Sequence, residues 1–132
     1  MPIALSVTTD LIFSSRISAA AAACGVDCRA ASSPDAVATT LDDLAVGLVL
    51  VDMTINRQVA AEAVRRAAAH PSTPTVIAYY PHVQADLRDA AVRAGADQVL
   101  PRSRFVEQLP GLLAALSGPT RQAPTGREAT DT

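Results

Sequence analysis

Hydrophobic and polar positions follow two rhythms along this chain, and the rhythms alternate. Short segments of strand character stand at 3–7 (IALSV), 26–30 (VDCRA), 47–51 (GLVLV), 75–80 (TVIAYY) and 97–100 (DQVL). After each, apolar residues return every third or fourth position, the spacing of a helix with one face on a core. The first such stretch places Phe13, Ile17, Ala20, Ala21 and Cys24 on one face and predicts an amphipathic helix stopped by Gly25. The second opens with Ser33 as N-cap and Pro34 at the first helical position, and Val37, Leu41 and Leu44 form its stripe. The third, RQVAAEAVRRAAAH, is built from strong helix formers and closed by Pro71 and Pro74. Leu87, Ala91 and Ala94 mark the fourth, ended by Gly95, and Phe105, Leu109, Leu112, Leu113 and Leu116 mark the fifth. Pro110-Gly111 lies inside that last pattern and predicts a kink or a late start. Residues 118–132 hold almost no apolar side chains and read as a disordered C-terminal tail.

A five-fold strand–helix alternation over residues 3–117 implies a single α/β domain, a five-stranded parallel sheet wound on both faces by right-handed crossovers. In such sheets functional groups gather beyond the carboxyl ends of the strands. That singles out GLVLVDMTINR, where an apolar run stops at Asp52. The other strand ends supply Thr8, Thr9 and Asp10 after the first, Tyr80 on the fourth and Arg102 after the fifth.

Composition narrows the function classes. All eleven basic residues are Arg, the net charge is −2, and the Arg residues are scattered, so neither nucleic acid nor an anionic membrane is an expected partner. No segment is long and apolar enough to span a bilayer, and no leader is expected, because Asp10 precedes the first helical stretch and Arg16 interrupts it. Cys24 and Cys28 would suit half a zinc site, but His70 and His82 are not paired at ligand spacing, so reduced thiols in a cytoplasmic protein are expected. No Gly-rich phosphate loop follows the first strand, where TTDLIFSS stands, and no nucleophile–base pair is evident, so enzyme activity is not expected.

The stretch AYYPHVQADLRDAAVRAGADQVLPR carries a resemblance. Together with LVLVD and the alternation, it is similar to the receiver domains of response regulators, the CheY-like family, over residues 3–117. The resemblance implies a flavodoxin-like, receiver-type (βα)5 fold. It also implies that Asp52 stands at the phosphoacceptor position, with Tyr80 at the place of the family's hydroxyl residue and Arg102 at that of its lysine. The family's acidic pair, which helps the phosphoacceptor hold magnesium, is matched by Val7-Thr8 or Thr8-Thr9, with Asp10 slightly late.

These departures set the functional expectation. One carboxylate about 4 Å from a unit positive charge is worth roughly 4 kcal/mol at an effective dielectric near 20, so losing the acidic pair removes most of the attraction for magnesium. The expected function is that of a stand-alone degenerate receiver, a pseudo-receiver, which binds other proteins in signalling and needs no cofactor. Arg102 would pair with Asp52, bidentately at best, and Tyr80 would fill the phosphoryl space. The plainer alternative leaves Arg102 solvated and packs Tyr80 on the fourth helix. Under the resemblance the partner is a histidine kinase, another signalling protein or a second copy of the chain. The interaction surface is the fourth-helix to fifth-helix face, with Arg88 and Arg93 as exposed probes and Val83, Leu87 and Phe105 as apolar contacts, each of which could equally be core. The competing expectation is a working response regulator, phosphorylated on Asp52 by a histidine kinase with magnesium held by Asp52 and Asp10.

Overall fold

The computed structural model describes residues 2–81 and 85–117. Five strands and five helices alternate along it. The strands are β1 (Ile3–Val7), β2 (Cys28–Ala31), β3 (Val46–Asp52), β4 (Thr75–Tyr80) and β5 (Gln98–Pro101). The helices are α1 (Leu11–Ala23), α2 (Pro34–Asp43), α3 (Arg57–Ala69), α4 (Ala85–Ala94) and α5 (Arg102–Ser117). All strand pairs are parallel, in the order β2-β1-β3-β4-β5, the flavodoxin-like doubly wound arrangement.

Side chains of β3 alternate between two cores, as the pleat requires. Val49 and Val51 join Val37 and Leu41 of α2, Val64 of α3 and Leu87 and Ala91 of α4. Leu48 and Leu50 join Phe13 and Ile17 of α1 and Phe105, Leu109 and Leu113 of α5. Asp52 continues the second phase, so the pleat turns its carboxylate toward α1 and α5. The glycine that opens the run has its own reason. A Cβ on Gly47 would come within 2.8 Å of the Leu116 side-chain tip and 2.9 Å of Pro2 Cβ, so a larger residue there would make both neighbours shift.

Local signals place most element ends. Ser33 Oγ accepts from Ala36 N–H to cap α2, and Pro34 occupies its first turn. Gly95 follows α4 at φ +105°, a left-handed value that stops a helix at little cost. Several expectations are corrected. β2 starts two residues late, and Val26 is buried outside it. Leu44 is not part of a buried stripe; it is the C-cap of α2 and is 37% exposed. α1 is not amphipathic in the ordinary sense, because Leu11 and Ile12 stand 81% and 85% exposed on its outer side. α5 does not start late; it begins at Arg102, directly after β5, and carries Pro110 within it. Among the described residues no helix is long and apolar enough to cross a membrane. Cys24 and Cys28 are free thiols, and no group of three or more His, Cys, Asp or Glu that could hold a metal occurs among the described residues. Val83, His82 and the tail at 118–132 lie outside the described residues.

Candidate functional site at the Asp52 rim

Asp52 ends β3 with its side chain only 1% exposed. A buried carboxylate must have its charge met by donors or opposite charge. Three hydrogen bonds do this. Thr8, just past β1, donates its hydroxyl to Oδ2 at 2.7 Å. Thr54 donates its backbone N–H at 2.9 Å and its hydroxyl at 2.6 Å, both to Oδ1. The Thr54 contact is an Asx turn, in which an aspartate folds the chain back onto its own backbone two residues on. Thr8 Oγ1 in turn accepts from Asp10 N–H at 3.1 Å, which ties the rim to the start of α1.

Arg102 supplies the countercharge. It is the first residue of α5, and its Nη2 stands 4.0 Å from Asp52 Oδ2. This is a one-nitrogen ion pair beyond hydrogen-bond range, so the expected bidentate fork is not formed. What holds the guanidinium is Phe13. The guanidinium carbon lies 4.7 Å from that ring's centroid, a cation–π distance. Arg102 Nε is buried without a hydrogen-bond partner.

The tyrosines are exchanged relative to expectation. Tyr79 pairs with Asp52 across β3 and β4 and therefore shares its face of the sheet. Its ring stacks on Phe105 at 4.2 Å and tilts against Phe13 at 5.2 Å, beneath the rim. Tyr80 points the other way and packs in the core of α2, α3 and α4, as the plainer alternative held. Phe105 is corrected from contact surface to core: it is wholly buried between Tyr79 and Phe13. Leu87 is likewise core, whereas Arg88 and Arg93 are exposed. Thr9 is exposed, and Asp10 spends Oδ1 on capping α1 through Phe13 N–H at 3.0 Å.

Sequence reading missed Thr54, Tyr79 and Phe13 as site residues. The Asp-Met-Thr spacing of an Asx turn could have flagged Thr54. Tyr79 needed the β3–β4 register, and Phe13 needed the approach of α1 to α5.

Magnesium does not fit these residues. It asks for several hard oxygens, mostly anionic, in a tight octahedron. Here the oxygens beside Asp52 are threonine hydroxyls that donate to it, Asp10 gives one oxygen to the cap of α1, and Arg102 already brings a positive charge within 4.0 Å of Oδ2.

Tyr79 Oη is fully buried and has no partner at good hydrogen-bond geometry, although the Thr8 hydroxyl lies close enough to act on it. Burial first, and then the Asp52 charge, push its phenol far above the ordinary tyrosine value, against smaller pulls downward from the Thr8 hydroxyl and Arg102. The folded value thus exceeds the unfolded one, so the associated stability is present below about pH 10 and is lost as the unfolded phenol ionises above it. Tyr79→Phe is expected to gain up to about 1 kcal/mol at neutral pH by removing an orphaned hydroxyl. It should also lose less stability than wild type between about pH 10 and pH 12. Urea unfolding at neutral pH and across that alkaline range checks the two signs together.

No protein-family model matches the chain, and no curated protein matches it. Solved structures do. A response regulator from Thermotoga maritima is 19% identical at a TM-score of 0.70, covering 87% of this chain and 98% of its own. The receiver domain of NtrX from Brucella abortus is 21% identical at 0.70, covering 89% and 99%. An orphan response regulator of H. pylori is 17% identical at 0.67, covering 91% and 97%. Likeness at these identities carries the fold, which is the receiver fold of response regulators.

Proposed function

We propose that this chain is a metal-independent pseudo-receiver, a signalling module that works by docking other proteins and not by taking up a phosphoryl group. The observation that carries the reading is the way Asp52 is spent. Its two oxygens already accept from Thr8 and Thr54, and Arg102 stands where a cation would be useful. Phosphoryl transfer to a carboxylate needs a free oxygen as nucleophile and a cation on the transferring group. Oδ1 accepts twice and is fully engaged, so attack would fall to the remaining lone pair of Oδ2, whose charge is already drawn on by Thr8 at 2.7 Å. Arg102 keeps the site neutralised by an ion pair built into the chain. On this reading the protein is not an enzyme, and its partners are signalling proteins, a histidine kinase among them, or a second copy of the chain.

The test is incubation with acetyl phosphate and magnesium, read by intact mass. No adduct above background is expected for wild type or for Asp52→Asn. A stoichiometric phosphoryl adduct on wild type that vanishes in Asp52→Asn would establish the opposite, a working phosphoacceptor.

A further inference from the structure

A groove of about 450 Å³ runs between α3 and α4, on the opposite face of the sheet from α1 and α5. Ala61 and Ala90 are short and leave the space open, and Arg57, Gln58, Arg65 and Arg93 line it. The ion pairs around it are solvent-exposed, so the arginines in them can exchange partners. Asp86 pairs with Arg57 at 3.2 Å, Glu62 with Arg65 at 3.0 Å and Asp89 with Arg88 at 3.1 Å. Arg93 forms no ion pair among the described residues.

Charge is distributed unevenly around the molecule. α3 and α4 together carry five arginines against three carboxylates, whereas α2 carries three aspartates and no base. On a chain of net charge −2 this makes the groove a positive stripe on a negative body. Arg57 also opposes its own helix. It opens α3, whose first turn holds no acidic residue, and a cation there is repelled by the helix dipole. A residue that breaks a local rule for only an exposed ion pair in return marks a place where something else is gained.

We propose that this groove docks an acidic segment of a partner protein, with side-chain carboxylates received by Arg57, Arg65 and Arg93. The inference rests on the interaction-module reading and names the chemistry of the partner. Arg57 and Arg65 are eight positions apart on α3, about 12 Å along the axis, or the span of about four residues of extended chain. That is longer than one phosphate and suits carboxylates spaced along a peptide, each meeting a guanidinium fork. Asp86 and Asp89 stand among the arginines and lower the affinity for any polyanion, an acidic peptide included.

The probe is a fluorescein-labelled hexaglutamate, titrated by anisotropy with the full chain at about 50 mM and about 500 mM salt, since screening weakens exposed pairs. Binding should weaken at the higher salt. Arg65→Gln and Arg93→Gln should each weaken it about two- to fivefold, and the double variant about tenfold, as expected for exposed pairs. Both side chains are exposed, so folding should persist, which circular dichroism checks. Asp89→Asn should tighten binding, and Glu107→Gln, exposed on α5 across the sheet, should leave it unchanged. Absence of binding, binding unaffected by salt or by the double variant, or equal affinity for a short DNA duplex would overturn the inference. A phosphoryl adduct on Asp52 would instead overturn the metal-independent reading and leave these outcomes as they stand.

Discussion

Phe105→Ala is expected to cost about 3–5 kcal/mol of folding stability, the usual loss for a buried phenylalanine. The ring is wholly buried and is stacked against Tyr79 at 4.2 Å with planes 14° apart. It also lies 6.0 Å from Phe13, the ring that supports Arg102. Truncation would therefore open a cavity under the rim and loosen the packing of α5 on α1 at once. Urea unfolding measures it as a fall in midpoint at unchanged slope. Val92→Ala is the control, because Val92 is 54% exposed on α4 and should change stability by less than about 0.5 kcal/mol. A cost below about 1 kcal/mol for Phe105→Ala would mean that the ring is a surface contact after all.

Asp52→Ala is expected to cost about 2–4 kcal/mol. It leaves two threonine hydroxyls and one N–H without their acceptor, and bonds to a charged group are the stronger kind. Double-mutant cycles then separate the contributions. With Thr8→Val the coupling should exceed about 1 kcal/mol, because the 2.7 Å bond is buried and charge-assisted. With Arg102→Gln it should stay below about 1 kcal/mol, because that contact is 4.0 Å long and the arginine side chain is 38% exposed to water. Asp52→Asn with Arg102→Gln therefore recovers little of the loss of Asp52→Asn alone. A coupling above about 2 kcal/mol with Arg102 would make the ion pair, not the hydroxyls, the anchor of the rim.

The site is read from sequence best where one residue sufficed. Asp52 was located by the end of an apolar run, and Arg102 by its place after the fifth strand. The strand end and the family resemblance both point to Tyr80, and neither says which way a strand residue faces. The pleat does: with Asp52 opposite Tyr79, the neighbouring tyrosine has to face the other core. Phe105 lies in the interior for a different reason, the packing of helices. The helical period showed that Phe105 lies on the apolar face of α5, but not that α1 and Tyr79 would close over it.

The sequence by itself determined the order and type of all ten elements, the two-sided burial of β3 and the stops of α1, α3 and α4. Each of these rests on contacts within a few residues or on a local period, and such signals are written along the chain. Only the tertiary structure decided what Asp52 does. Its donors come from past β1 and from the turn after β3, and its countercharge comes from the start of α5, propped by an aromatic ring from α1. The α3–α4 groove is of the same kind, since Arg57 and Asp86 are 29 positions apart and meet only because the two helices pack side by side. A charge becomes a site when strand register and helix packing fix which groups face it, and neither is encoded within a span that periodicity can read.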